Sequence, residues 1–173
     1  GPINVLLTSG GFGIGPLAAA IQSFAGLPQL KVTVVCGASQ RRRARVEAAA
    51  AKAGIAARVI GYEHDMPARL AEAHVVVGKP GGLTSSETLA CGRPMAIMGT
   101  CPGQEEHNEQ WLCVNHAGVR IDPRDAGPRI EQLRKSGRLA RMARAAQRLG
   151  RPRAAINVVA AGLRLTPAQQ QAA

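Results

Sequence analysis

Lys79-Pro80-Gly81-Gly82-Leu83-Thr84-Ser85-Ser86-Glu87 decides the reading of this 173-residue chain. Ahead of it, Val75-Val76-Val77 is an apolar run of the kind that forms a strand buried on both faces. Behind it, residues 87–91 read as the start of a helix. The nonapeptide is therefore a strand-to-helix turn, the place where open α/β sheets bind ligands. Pro80 ends the strand, and Gly81 and Gly82 let the main chain turn sharply and approach a neighbour closely. Thr84, Ser85 and Ser86 bring hydroxyls and unpaired backbone N–H groups to a helix N-terminus, a ready anion site. Glu87 adds a carboxylate to the same area. The run Thr84-Ser85-Ser86-Glu87 also spells a capping box, in which Glu87 would only satisfy the Thr84 N–H. A second glycine-rich turn and a later polar cluster favour a ligand.

Toward the N-terminus, residues 4–9 carry the apolar Val5-Leu6-Leu7. Gly10-Gly11-Phe12-Gly13-Ile14-Gly15 follows, then Pro16 and an apolar-periodic helix to about residue 24. Strand, glycine loop and helix open a nucleotide-binding βαβ unit. Gly13-Ile14-Gly15-Pro16-Leu17-Ala18 fits G-x-G-x-x-A, although glycine turns after a first strand also occur with no ligand. The second strand, residues 31–36, runs into Gly37-Ala38-Ser39-Gln40-Arg41-Arg42-Arg43 without the acid that a NAD ribose needs. Ser39 and the arginines would suit the 2′-phosphate of NADP, so an NADP-binding oxidoreductase domain is the alternative. Arg41, Arg42, Arg43 and Arg45 also read as the solvated face of a helix that Gly54 stops. The third strand, residues 58–60, leads into Gly61-Tyr62-Glu63-His64-Asp65-Met66 and a helix over residues 67–73. Tyr62 and Met66 flank a turn at a strand end. Ring face and thioether would there sandwich a flat base; core packing is the plainer role for both.

Toward the C-terminus, residues 95–98 form a fifth strand. Gly99-Thr100-Cys101-Pro102-Gly103-Gln104-Glu105-Glu106-His107-Asn108-Glu109-Gln110 follows, dense in amides and carboxylates that suit the donor and acceptor hydroxyls of a sugar. The acids also complement the dipole of a first helix turn. No second cluster at metal-ligand spacing accompanies Glu105-Glu106-His107, so no metal is expected. That helix is expected over residues 106–117, ended by Gly118, with a sixth strand at 119–121. Beyond it, Leu139, Met142, Ala146 and Leu149 share one helix face, with Arg138, Arg141, Arg144 and Arg148 crowded beside it. Such a basic amphipathic helix can lie on an anionic membrane or simply be a charged, solvated face. Pro152 separates it from a last helix, and residues 166–173 read as a disordered tail.

A net charge of +11 admits nucleic acid, anionic lipid or a phosphorylated ligand as partner. With aromatics at 2%, bases have little to stack on, and no nucleic-acid motif is present, so nucleic acid is not expected. A non-catalytic basic module for anionic lipid remains a further alternative. Cys36, Cys91, Cys101 and Cys113 show no C-x-x-C spacing, which points to reduced thiols and a cytoplasmic setting. Gly1-Pro2 before a strand resembles a protease scar and suggests a fragment of a longer protein. Repeated strand–helix alternation predicts an α/β fold: a doubly wound, mostly parallel six-stranded sheet in the order 3-2-1-4-5-6, with C-terminal helices. In that order strands one and four adjoin. Residues 10–15 and 81–84 then face each other across the switch point, and two helix N-termini aimed at one spot suit a diphosphate.

Together these motifs resemble the C-terminal, donor-binding half of GT-B glycosyltransferases of family 28, over about residues 5–165. Within that family the likeness is strongest to monogalactosyldiacylglycerol synthases and processive diacylglycerol glucosyltransferases, and weaker to the transferase that makes lipid II. The glycine loop of residues 10–15, the run Gly78 to Glu87 and Pro102-Gly103-Gln104-Glu105-Glu106-His107-Asn108 carry it. The resemblance implies a Rossmann-like nucleotide-sugar domain over residues 1–165, with Gly11 and Gly13 under the diphosphate of UDP. Gly82, Leu83 and Thr84 would sit beside ribose and phosphates, Glu87 on the ribose hydroxyls, and Tyr62 and Met66 about the uracil. Gln104, Glu105 and Asn108 would bind the donor hexose. It implies inverting transfer of a hexose from UDP to a lipid acceptor such as diacylglycerol, at the inner face of a membrane. No D-x-D motif is present, and no metal or other cofactor is expected. The base and acceptor site belong to an N-terminal domain that this chain lacks. No catalytic residue is therefore expected here, and the chain alone should be inactive, whether as a fragment or as one half of a natural split enzyme like the two-subunit transferase of dolichol-linked chitobiose synthesis.

Overall fold

A computed structural model describes residues 1–9 and 16–164; residues 10–15 and 165–173 lie outside it. The first glycine loop, with Gly11 and Gly13, and the expected tail therefore fall outside the described residues. Six strands, β1 (Ile3–Thr8), β2 (Leu30–Val35), β3 (Arg58–Ile60), β4 (Val75–Gly78), β5 (Met95–Ile97) and β6 (Gly118–Arg120), form one parallel sheet. Its order is β3-β2-β1-β4-β5-β6, the order expected from the sequence. The helices are α1 (Leu17–Gln22), α2 (Gln40–Lys52), α3 (Met66–Glu72), α4 (Gly82–Ala90), α5 (Gln104–Val114), α6 (Ala126–Lys135), α7 (Arg138–Leu149) and α8 (Ala154–Gly162).

Both faces of the sheet are covered, which is why its strands are apolar throughout rather than alternating. Successive residues of β1 serve opposite faces. Val5 and Leu7 enter the larger cluster with Leu17, Val46, Ile130, Leu139 and Met142, whereas Leu6 packs with Val35, Leu70 and Val76 under α3. A third cluster joins Leu89 of α4, Leu112 of α5 and Ala145 of α7 to Met95 and Ile97. With one Trp and two Phe in the chain, the core is almost wholly aliphatic.

Four helix boundaries differ from the sequence expectation, and the first is the end of α1, at Gln22 and not near residue 24. Helix α4 begins at Gly82, five residues earlier than residue 87, because the chain reverses within Pro80 and Gly81. Gly81 is the N-cap in extended conformation (φ −60°, ψ 149°), and the Ser85 N–H already donates to its carbonyl at 2.8 Å. The Thr84–Glu87 capping box therefore does not form: Thr84 lies inside the first turn. Helix α5 begins at Gln104 behind Gly103, whose φ of 95° only glycine adopts easily, and the Glu106 carboxylate accepts the Gly103 N–H at 3.1 Å. It ends at Val114, not at Gly118. His116 takes the left-handed turn, and Gly118 belongs to β6, where a Cβ would meet the Leu112 Cβ at 2.8 Å.

The apolar face of α7 is consumed by the core, with Leu139, Met142, Ala145 and Ala146 buried and its arginines outside. Helix α8 buries no residue and exposes Ile156, Val158 and Val159, with Leu163 just beyond. Among the described residues no helix is long and apolar enough to cross a membrane.

Candidate functional site

The crevice lies at the carboxyl edge of β1, β4 and β5. Thr8 and Gly78 end their strands side by side, and a Cβ on Gly78 would stand 2.6 Å from the Thr8 carbonyl oxygen. Glycine is thus required where the sheet order reverses. Next to this point the Ser9 hydroxyl is buried without a hydrogen-bond partner among the described residues, as are those of Ser85 and Thr88 on the sheet side of α4. Buried hydroxyls left unpaired are uncommon in folded proteins, and they gather here.

Helix α4 opens onto the crevice with its N-terminus. Gly82, Leu83 and Thr84 occupy its first turn, where backbone N–H groups have no partner within the helix. Leu83 is 73% exposed, a large apolar side chain left uncovered in that first turn. Glu87 follows one turn later on the same side, half-buried, and its carboxylate makes no hydrogen bond or ion pair among the described residues. A ready acceptor thus stands one turn behind an array of donors.

The loop from β5 into α5 closes the other side. The Lys79 ammonium reaches across to it, 2.8 Å from the Cys101 Sγ and 3.1 Å from Glu105 Oε2. The same Glu105 oxygen accepts the Cys101 N–H at 2.6 Å. One turn on, the Asn108 amide donates to the Pro80 carbonyl at 2.8 Å. Gln104 lies over the start of α4, its Nε2 3.3 Å from where a Cβ on Gly82 would be. Desolvation pushes the Glu105 carboxyl upward, but the Cys101 N–H and the Lys79 ammonium outweigh it and hold it below the usual carboxylate range. The contact with Cys101, then that with Glu105, raises Lys79 above an ordinary lysine against its own desolvation. Both groups are charged near neutral pH.

Of the residues picked out in the sequence, Gly82, Leu83, Thr84, Glu87, Gln104, Glu105 and Asn108 come together on α4 and α5. Tyr62 and Met66 stand apart, after the edge strand β3, three strand spacings or about 14 Å from β4. Tyr62 is exposed, edge-on to His64 at a ring-centroid distance of 4.8 Å. Met66 opens α3 and packs against the cluster of Leu6 and Leu70. The arginines after β2 have local roles. The Ser39 hydroxyl accepts the Arg42 N–H as an N-cap, Arg42 donates to the Cys36 carbonyl, and Arg43 pairs with Glu47. Arg41 and Arg45 border a hollow of about 390 Å³ beside α1. A larger hollow of about 750 Å³ opens at the opposite, amino-terminal edge of β1 to β3, away from the helix N-termini of the crevice. Lys79, Cys101 and Ser9 were not singled out from sequence. A lysine closing the apolar run of β4 was the available signal for the first.

Residues 4–152 match the model of the glycosyltransferase family 28 C-terminal domain. A processive diacylglycerol beta-glucosyltransferase of Bacillus cereus (strain AH187) is 30% identical over 158 residues, covering 90% of this chain and 41% of that protein. The chain thus spans about two-fifths of the length of such relatives. Among solved structures, Acinetobacter baumannii MurG superposes with a TM-score of 0.75 at 20% identity, over 95% of this chain and 53% of that one. A Neisseria meningitidis UDP-GlcNAc 2-epimerase bound to UDP-GlcNAc superposes with a TM-score of 0.68 at 16% identity, over 95% and 44%. Such distant structural likenesses fix the fold and leave the chemistry open. The family model, matched over residues 4–152, shows the family: this chain belongs to glycosyltransferase family 28, of which it carries the C-terminal domain.

Proposed function

We propose that the chain binds a UDP-hexose, as the donor half of an inverting glycosyltransferase that passes the sugar to a lipid acceptor such as diacylglycerol. One observation carries this reading: N–H groups opening α4 that have no partner within the helix, followed one turn later by a Glu87 carboxylate unengaged among the described residues. A nucleoside diphosphate needs that pair of features, donors for its phosphates and an acceptor for its ribose hydroxyls. Exposed Leu83 would give the ribose or base an apolar face, and Gln104 and Glu105, on the facing start of α5, are assigned to the hexose. In transfer, charge develops on the departing diphosphate. The N–H groups and dipole of α4 stabilise it without a metal ion. The base and lipid site are assigned to an N-terminal domain, so this chain alone is inactive.

Lipid acceptors also imply work at a membrane surface. The apolar face of α7 is buried, so contact with anionic lipid is assigned to its exposed arginines together with the apolar side chains of α8.

Calorimetric titration of the chain with UDP, NADPH and ADP tests the donor reading. UDP alone should bind, unaffected by a chelator. Glu87→Ala should lose roughly 10- to 100-fold in UDP affinity with unchanged thermal stability, the effect of removing a charged acceptor worth about 1.5–3 kcal/mol. NADPH binding in place of UDP would overturn the reading in favour of an oxidoreductase domain.

A further inference from the structure

The far end of the crevice is held in an unusual way. Between Gly99 and His107 no residue is buried, and two glycines, Gly99 at φ 74° and Gly103 at φ 95°, take conformations that leave the loop without rigid side-chain support. Helix α5 contributes a single buried residue, Leu112, in its third turn, and Trp111 beside it is 48% exposed. Its N-terminus thus has no apolar anchor. Polar ties from the turn after β4 hold it instead: Lys79 to Glu105 and Cys101, and Pro80 to Asn108. Lys79 is itself well covered, its side chain 14% exposed, so its ammonium has few competing water partners.

We infer that Lys79 is the positioning residue for the hexose end of the site: its ammonium fixes Glu105, and with it the start of α5, where the donor sugar is read. The inference rests on the donor reading above. A glutamate on an unanchored helix end samples many rotamers, and binding a sugar through it would then require ordering it first. With Oε2 engaged by Lys79 and the Cys101 N–H, Glu105 presents its other oxygen in one orientation. Asn108 supports the same arrangement as the second tie through its amide nitrogen. The free oxygen of Glu105, Oε1, is then the one that accepts a sugar hydroxyl.

Lys79→Met, Lys79→Arg and Glu105→Gln chains, each checked by its amide NMR spectrum, test this. The first readout is the ratio of UDP-glucose to UDP affinity, with UDP-galactose in parallel. Lys79→Met should abolish the gain that the hexose brings, by about tenfold or more for a charge-assisted contact left unordered, while UDP affinity moves less than about twofold. Lys79→Arg should restore most of the gain, and Glu105→Gln should show the loss without the loosening of the loop. The second readout needs no ligand: the Glu105 carboxyl resonance should titrate at higher pH in Lys79→Met than in the parent, and stay low in Lys79→Arg. Equal weakening of UDP and UDP-glucose, or an unmoved Glu105 titration, would overturn the inference while leaving the donor reading in place. Absence of UDP binding in the parent chain would overturn both.

Discussion

Glu131 shows how much a single side chain on this framework is controlled by its neighbours. It is largely buried on α6, and Arg134 grips both its oxygens, at 2.7 and 2.8 Å, with Lys135 at 3.5 Å. The Arg134 hydrogen bonds, against a desolvation cost, bring its carboxyl down to about 2 from an ordinary 4.5. A carboxylate depressed in the folded state stabilises the fold above its unfolded value, and that contribution disappears as pH falls. Glu131→Gln should therefore lower the melting temperature near neutral pH. The gap to the parent should close as pH falls from 4.5 to about 2. A gap that stays constant over that range, followed by circular dichroism, would show that packing and not charge holds Glu131. Glu131 was not singled out from sequence; its grip by Arg134 and its burial emerge only in the fold. Lys79 is the sharper case. Its sequence neighbours point to a turn, whereas its partners Cys101 and Glu105 are 22 and 26 positions away and meet it only because β4 and β5 adjoin.

At the scale of elements, α4 is where fold and chemistry coincide. Its N-terminus is open because Pro80-Gly81 completes the turn before any side chain can cap it, so donors remain for a ligand. This separates two effects of a negative charge placed there. Leu83→Glu should leave the helix as stable or slightly more so, since an acid in the first turn gains about 0.3–1 kcal/mol from the dipole. The same acid should repel a bound diphosphate and weaken UDP by at least about fivefold, on the order of 1 kcal/mol for like charges about 4 Å apart in water and more where water is excluded. Thermal melts and calorimetry on one protein preparation read both. A fall in stability equal to the loss of affinity would mean that the substitution damages the helix. The strands were legible to within about one residue because apolar runs of that length between glycine and proline signals have few other uses. The start of α4 was not, since Thr84-Ser85-Ser86-Glu87 reads equally as a capping box.

Over the whole molecule, charge is distributed unevenly. No acidic residue follows Glu131, whereas seven arginines lie between Arg138 and Arg164, all exposed. Adjoining them, α8 carries Ile156 and Val159, and with Leu163 they fall on one helical face at i, i+3 and i+7. This surface predicts sedimentation with vesicles rich in anionic phospholipid at low salt, a loss at high salt, and little binding to neutral vesicles. The triple change Ile156→Ser, Val159→Ser and Leu163→Ser should weaken the anionic-vesicle binding with no change in melting temperature, because none of the three is part of the core. Binding indifferent to both lipid charge and this triple change would remove the membrane assignment.

The sequence by itself determined the strand–helix alternation, the parallel sheet and its order, and the two polar stretches that frame the crevice. Those are consequences of local chemistry: apolar runs too short for helices, glycines where the chain must turn, and crossovers that favour one hand. Tertiary structure alone decided which of the polar side chains are engaged and which are available. Among the described residues the Glu87 carboxylate is unengaged, Glu105 is gripped by Lys79, Asn108 ties α5 to Pro80, and Tyr62 stands with His64 beyond the edge strand β3. The physical reason is that a side chain's availability depends on what lies within about 3 Å of it. Here those neighbours come from strands brought side by side by the sheet rather than from adjacent positions in the chain.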